Sequence, residues 1–180
     1  MRSITAQCRD HLLGDGGVYD MTFWHPNQKP ASGVTVYPTV INGGTTHVNI
    51  TFLNAYEGIR LPNSSNDRVR GLYGSPLHMG LYSGPAFAVP GFTEINFSPD
   101  YLAWSGLETD PAELSAHAAY MYNYGTAAQH DGKAAFYAND YTISGYHCGV
   151  RFPMSNRCPT PRMAISSMRI SAIAKWEFNM

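Results

Sequence analysis

The feature that most constrains the fold is a set of short β-rich runs within residues 104–152, separated from one another by Gly, Asn and Asp. The runs cover residues 119–124, 134–138 and 145–152. Residues of high β propensity between turn formers are typical of strands that short turns connect. The stretch therefore predicts an antiparallel meander. For the whole chain we expect a mainly β fold of antiparallel sheets, with long ordered loops and one or two short helices.

A second strand pair is predicted upstream of the meander. Residues 34–41 and 47–53 are rich in Val, Ile and Thr, and the link between them contains Asn42, Gly43 and Gly44. Asn and Gly tolerate the positive φ of hairpin turns. Within 47–53 apolar and polar residues alternate, as in a strand with one buried face. These features predict a half-buried hairpin.

Weaker signals complete a single β-rich domain over residues 1–180, without an internal repeat. Thr109, Asp110 and Pro111 mark the start of a short helix, because a capping side chain precedes a proline at the first helical position. Gly and Pro punctuate residues 59–99, which predicts a long ordered loop with brief strands at 87–89 and 93–97. The other predicted elements are a helix at 5–13 and strands at 18–24, 117–124 and 163–178.

Composition excludes several classes of protein. Charged residues make up 14% of the chain, the formal net charge is −1, and aromatic residues make up 13%. Disordered chains have few aromatic residues and high net charge, and nucleic-acid binding needs a concentrated basic face. Neither class fits. No apolar run is long enough to span a membrane. The first ten residues lack the apolar core of a secretory signal, so we expect a protein made in the cytosol or one whose signal has been removed.

No residue set predicts catalysis, a metal site or a cofactor. His147 and Cys148 are neighbours, but adjacent residues of a strand point to opposite faces and cannot form a catalytic pair directly. The seven histidines have no metal-ligand spacing, and the carboxylates show no specific pairing. Three cysteines are an odd number, and a Cys148–Cys158 disulfide remains open. The chain is therefore predicted not to be an enzyme.

Five short segments resemble two related bacterial modules, the Fibrobacter succinogenes major paralogous domain and the Legionella collagen-like C-terminal domain. The segments are 15–20, 59–62, 102–105, the aromatic run at 119–124, and 145–151, the last reading Gly-Tyr-His-Cys-Gly-Val-Arg. The modules have a second Ser and a Thr where this chain has Gly106 and Leu107, and residues 154–180 lie outside their pattern. The resemblance implies a C-type-lectin-like fold that presents variable binding loops on surface proteins and phage receptor-binding proteins. It implies no calcium site, because the required triplets are missing.

The aromatic residues supply the candidate binding and contact positions. If residues 117–124 form a strand, Tyr120, Tyr122 and Tyr124 share one face, and Tyr is well suited to recognition surfaces. We take these three and Tyr137 as binding candidates, although a core or subunit contact remains the alternative for the three. Trp176 and Phe178 are predicted at a subunit interface.

Together these features predict a non-catalytic structural or receptor-binding protein of a bacteriophage virion, such as a fibre, decoration or tail component. The alternative is a bacterial cell-surface binding module, with glycans as possible ligands. We expect the chain to form a homo-oligomer, as a trimer. The other expected partners are virion proteins or a host receptor or glycan.

Overall fold

The strands form two sheets in which every pair is parallel. The computed structural model describes residues 3–4, 16–28, 40–42, 46–62, 67–84, 90–131, 136–152, 163–165 and 168–170. The first sheet has the order β1-β2-β4-β6-β8-β10-β12, and β13 also pairs with β10. Its strands are β1 (Ser3–Ile4), β2 (Gly17–Trp24), β4 (Thr46–Leu53), β6 (Arg68–Ser75), β8 (Gly91–Phe97), β10 (Phe136–Ile143), β12 (Met163–Ile165) and β13 (Met168–Ile170).

The second sheet has the order β11-β9-β7-β5-β3. Its strands are β3 (Ile41–Asn42), β5 (Glu57–Leu61), β7 (Met79–Ser83), β9 (Thr126–His130) and β11 (Cys148–Arg151). Because all pairs in both sheets are parallel, the predicted antiparallel fold class is wrong. The C-type-lectin-like arrangement was part of that class and is set aside with it.

Successive strands from β2 to β12 alternate between the two sheets, so the chain winds as a coil. Ile50 lies opposite Leu72, and Leu72 lies opposite Ile95, so one coil takes about 22 residues, a length typical of solenoid repeats. A coil of this kind keeps each strand parallel to the strand one turn earlier. The architecture is therefore a parallel β-solenoid, which repeats backbone shape without an internal repeat in the sequence.

Each long strand of the first sheet contains a residue in the left-handed backbone region at an equivalent position, and β6 has a second residue with positive φ, Gly74, at 126°. The equivalent residues are Asp20, Asn49, Gly71, Glu94 and Asp140, with φ between 53° and 71°. Each stands immediately before a member of the column Met21, Ile50, Leu72, Ile95 and Tyr141, whose members lie opposite one another in register. The residue before each left-handed position also faces outward. Simple alternation is therefore interrupted, and successive core positions lie three residues apart, as Val69 and Leu72 do.

The core lies between the two sheets, and close glycine contacts bring them together. The rings of Phe52 and Phe97 are fully buried. A Cβ added at Gly58 would stand 2.9 Å from the Phe52 ring, and one at Gly80 would collide with the Phe97 ring. The two rings therefore occupy space that a side chain in the second sheet would need.

The predicted hairpin and meander are both absent as antiparallel pairs from the described residues. β4 pairs with β2 and β6, whereas Ile41 and Asn42 belong to the second sheet. Likewise β9 and β11 lie side by side in one sheet, and β10 lies in the other. Strands that follow one another in the sequence thus lie in different sheets and do not pair with each other. The predicted strands at 18–24 and 93–97 are confirmed as β2 and β8.

Two helices, α1 (Asp100–Ser105) and α2 (Pro111–Tyr124), are inserted between β8 and β9. The predicted helix start is confirmed, since the Asp110 side chain accepts a hydrogen bond from Ala112 N and Pro111 follows it. The predicted strand at 117–124 is wrong because the helix continues to Tyr124. Its alanines favour the helix, and Gly125 follows its last residue.

A buried polar network docks α2 on the solenoid. His117 Nδ1 lies 3.1 Å from Asn54 Oδ1, and His117 Nε2 lies 3.0 Å from the Ser75 carbonyl oxygen. Asn54 Nδ2 donates to the backbone oxygens of His25 and Gln28, at 2.9 and 2.6 Å. These bonds orient the amide so that its oxygen faces His117. The helix is thus joined to two corners of the coil.

The remaining predicted elements lie wholly or partly outside the described residues. These are the helix at 5–13, the strand at 87–89 and most of 34–41. Of the C-terminal strand at 163–178, the described parts are β12 and β13, both paired with β10.

Candidate functional site

The outer face of the first sheet carries two adjacent columns of outward-facing residues. One column contains Thr46, Arg68, Gly91 and Tyr137, and the other contains Tyr19, Val48, Arg70, Thr93 and Asn139. The residues between the columns are His47, Val69, Phe92 and Ala138, and all are buried. The stacking of coils therefore gathers on one surface residues that are far apart in sequence.

A groove of about 470 Å³ opens on this face, and we call it the arginine groove. It is lined by Val48, Arg68, Val69, Arg70, Gly91, Thr93 and Tyr137. Val48 is half-buried, while Arg68, Arg70 and Tyr137 are exposed. Concave surfaces that combine apolar side chains with a few polar groups are the usual form of ligand sites.

Local sequence explains the shape of the arginine groove. Arg68, Val69 and Arg70 alternate along β6, so both arginines point outward and the valine points inward. Gly91 stands between Arg68 and Tyr137 in the register and contributes no side chain. A Cβ at Gly91 would lie 3.5 Å from Arg68 Nη1. The glycine thus leaves the groove open between the arginine and the tyrosine ring.

The electrostatic character of the arginine groove is cationic. Among the described residues that line it are two guanidinium groups and no carboxylate. Arg70 Nε lies 3.8 Å from Glu94 Oε2, but the Arg70 side chain is 75% exposed. An ion pair with this exposure is weak, and a guanidinium has five N–H donors. Arg70 therefore keeps donors for an anionic ligand while it contacts Glu94.

Glu94 is held by a second contact on its other side. Tyr73 donates its hydroxyl hydrogen to Glu94 Oε1 at 2.6 Å. Burial, followed by the nearby Glu94 carboxylate, raises the pKa of Tyr73 to about 12. The phenol therefore stays protonated at neutral pH and remains a donor. Tyr73 and Arg70 together fix the orientation of the carboxylate at the border of the groove.

Three aromatic rings extend from this border onto the inserted helix α1, and we call them the aromatic shelf. The ring centroids of Tyr73 and Tyr101 are 6.4 Å apart, and those of Tyr101 and Trp104 are 5.5 Å apart. Trp104 is 73% exposed. The aromatic shelf is therefore a rigid surface that begins beside the arginine groove and ends in an indole ring open to solvent.

The four tyrosines predicted as binding residues lie on two different elements. Tyr120, Tyr122 and Tyr124 lie on α2, where positions four apart share a face. Accordingly Tyr120 and Tyr124 are in ring contact, with centroids 5.1 Å apart, and the prediction that all three share a face is wrong. Tyr137 lies on β10 and lines the arginine groove. The sequence argument missed Arg68, Arg70, Tyr73 and the role of Trp104.

The other candidate residues give no alternative site. Cys148 is fully buried, whereas the neighbouring His147 is partly exposed, as their adjacent positions predict. Within the described ranges, no group of three or more His, Cys, Asp or Glu side chains is placed to hold a metal ion. Cys158, Trp176 and Phe178 lie outside the described residues, so the question of a Cys148–Cys158 disulfide stays open and the interface remains a prediction.

Comparison with known proteins adds no family assignment: no family model matches the chain, and searches of curated proteins and of solved structures return no significant match. The resemblance to the two bacterial modules therefore stays a prediction. None of the helices in the described part of the chain is long and apolar enough to cross a membrane.

Proposed function

We propose that the chain is a non-catalytic binding protein that attaches to a glycan carrying acidic groups, as a structural or receptor-binding component of a bacteriophage virion. The arginine groove is the observation that carries this proposal. Its arginines suit carboxylate or sulfate groups, because guanidinium binds planar anions with two parallel hydrogen bonds. Tyr137 supplies a flat ring against which a sugar ring packs.

The architecture supports a ligand that is extended. The two outward columns run across neighbouring coils of the solenoid, and parallel strands lie about 4.8 Å apart. Repeating surfaces of this type are used by solenoid proteins for extended ligands. Low charge and rich aromatic content suit subunit contacts in an assembled particle. A bacterial cell surface is the alternative location, and there too the arginine groove would bind an acidic glycan.

The test is a binding titration with acidic and neutral oligosaccharides. We expect the acidic oligosaccharides to bind. Arg70→Gln should lower their affinity about tenfold or more, because a hydrogen bond to a charged group contributes about 1.5–3 kcal/mol. Arg68→Gln should have a similar effect. Binding should also weaken as salt is added, since screening reduces attraction between exposed charges.

Arg60→Gln is the matched control. Arg60 carries the same charge but lies on the second sheet, where it pairs with Glu57 at 3.1 Å and covers the Tyr82 ring. Its replacement should leave the affinity unchanged. Equal losses in all three variants would mean that net charge, and not the arginine groove, determines binding. Failure of every acidic oligosaccharide to bind would reject the proposed function.

A further inference from the structure

The arginine groove and Trp104 are joined by an unbroken series of side-chain contacts. Arg70 contacts Glu94, and Glu94 accepts the hydrogen bond of Tyr73. Tyr73 contacts Tyr101, whose ring is in turn in contact with Trp104. The contacts cross from the sheet onto α1 without leaving the surface. The two features therefore belong to one continuous surface with a cationic end and an aromatic end.

Trp104 is held in place although it is exposed. Leu102, two residues earlier on α1, is only 2% exposed and anchors the helix. Gly106 ends the helix in the left-handed region, and its N–H bonds to the Ala103 carbonyl oxygen. Ser105 Oγ donates to the Leu102 carbonyl oxygen at 2.6 Å. The indole thus projects from a capped and docked helix.

The orientation of the rings leaves the indole accessible. Tyr101 and Trp104 meet edge to face, with an interplanar angle of 60°. In this arrangement the two rings do not cover one another as a parallel stack would. With 73% of the residue exposed, a large flat apolar surface is presented to solvent. Because most of the residue is exposed, its burial contributes little to folding stability.

We propose that Trp104 is a second subsite for the same ligand, on which an uncharged sugar ring stacks while an acidic group of the glycan occupies the arginine groove. This inference rests on the proposed function and specifies the ligand as an oligosaccharide long enough to reach from Arg70 across the aromatic shelf. A sugar presents an apolar face of C–H groups that packs on an aromatic ring. Glu94, at the middle of the surface, disfavours an acidic ring there and favours an uncharged one.

The test compares two lengths of one probe, a disaccharide and a hexasaccharide of alternating uronic acid and N-acetylglucosamine. For the wild-type chain we expect the hexasaccharide to bind more tightly than the disaccharide. Trp104→Ala should weaken the hexasaccharide about three- to tenfold, the range of an aromatic contact. The affinity for the disaccharide should stay the same. Trp104→Phe should retain part of the increase in affinity from the disaccharide to the hexasaccharide.

Leu107→Ala is the matched control, because Leu107 is exposed and apolar on the same insertion but has no aromatic ring. It should bind both probes as the wild type does. Circular dichroism confirms that each variant is folded. Length-independent binding that still requires Arg70 would overturn the Trp104 subsite and leave the proposed function intact. A change of oligomeric mass in Trp104→Ala would also overturn it, in favour of a protein contact. If neither probe binds, the inference about Trp104 fails, whereas the proposed function fails only if no other acidic oligosaccharide binds either.

Discussion

At the scale of single residues, the left-handed positions of the first sheet show how the coil tolerates a varied sequence. Asn, Asp and Gly adopt this conformation at low cost, and four of the five positions use them. Glu94 is the exception, with φ of 61°. Its carboxylate accepts the hydrogen bond of Tyr73 at 2.6 Å, which holds the side chain at this position. A carboxylate is thus placed beside the arginine groove by the same backbone feature that shapes the coil.

Gly71 allows this backbone requirement to be tested. Its φ is 71°, and a Cβ there would stand 3.2 Å from the Tyr73 ring and 3.4 Å from Asn49 N. We expect Gly71→Ala to lower the free energy of unfolding by about 1–2 kcal/mol, the cost of a left-handed L residue. Gly71→Asn should lower it less. Denaturant unfolding of the purified variants gives both values.

The matched control for that experiment is Gly16→Ala. Gly16 is outside the left-handed region, and a Cβ there would meet no atom within 4 Å. This variant should unfold at the wild-type denaturant concentration. If Gly71→Ala is as stable as Gly16→Ala, the left-handed conformation at position 71 is not required by the solenoid.

At the scale of elements, the sequence predicted strands well where apolar residues alternate without a glycine. Residues 18–24 meet this condition, and so do 93–97. In β6 and β7 the same signal is interrupted by Gly71, Gly74 and Gly80, which led to the prediction of a loop. These glycines are needed inside strands, since Gly71 and Gly74 have positive φ and Gly80 faces the Phe97 ring. Local pattern does not distinguish such glycines from turn glycines.

Local sequence pattern also cannot predict whether neighbouring strands pair in parallel or antiparallel. Alternation predicts the core face of 47–53 only in part, because the left-handed Asn49 leaves His47 buried and turns Val48 outward. It also contains no information about the partner strand. The candidate site depends on that pairing. Arg70, Thr93 and Asn139 become neighbours only because β6, β8 and β10 stack in parallel register. Tyr137 was predicted from its residue type, whereas the arginines gained importance only through the coil.

The docking of α2 predicts a pH dependence of stability. Both ring nitrogens of His117 face oxygen acceptors, which favours the imidazolium, but those acceptors are uncharged. Burial opposes the charge more strongly and lowers the pKa of His117 to about 4. An unfolded histidine has a pKa near 6.5. The unfolded chain therefore binds more protons between about pH 6.5 and 4, and stability falls as the pH decreases through this range.

Denaturant unfolding at pH 7.5 and 4.5 measures this effect. We expect the wild type to lose roughly 2–3 kcal/mol of unfolding free energy from His117 between these values, at about 1.4 kcal/mol per pKa unit. His117→Gln retains a polar side chain but does not titrate, so its loss should be smaller by that amount. His25 and His130 also have lowered pKa values because of burial, and their contribution remains in both chains. An equal loss in the two chains would mean that His117 keeps its ordinary pKa.

At the scale of the whole molecule, the solenoid repeats its shape and not its sequence. The column of Met21, Ile50, Leu72, Ile95 and Tyr141 shares only apolar character and position in the register. Similar volumes at these places are enough to bury a continuous core, because each coil packs only on its neighbours. A repeat of this kind leaves no identity for sequence comparison to detect.

The same architecture bears on assembly. Within the described residues, β3 and β11 each pair with one strand and lie at the two edges of the second sheet. Unprotected edges favour association between chains, and solenoids need their ends covered. We therefore expect a homo-oligomer, with a trimer as the specific prediction, and light scattering at micromolar concentration measures its mass. A monomer would contradict this prediction and favour a free-standing binding module.

Substitution of Trp176 distinguishes a subunit contact from an ordinary core residue. If Trp176 lies at the interface, Trp176→Ala should reduce the mass towards that of a single chain, because tryptophan anchors typically dominate interface energies. Trp104→Ala is the matched control and should leave the mass unchanged, since Trp104 is assigned to the ligand. If Trp176→Ala lowers the free energy of unfolding at constant mass, the indole is part of the core. If Trp104→Ala changes only the ligand affinity and Trp176→Ala changes only the oligomeric mass, ligand binding and assembly depend on separate tryptophans.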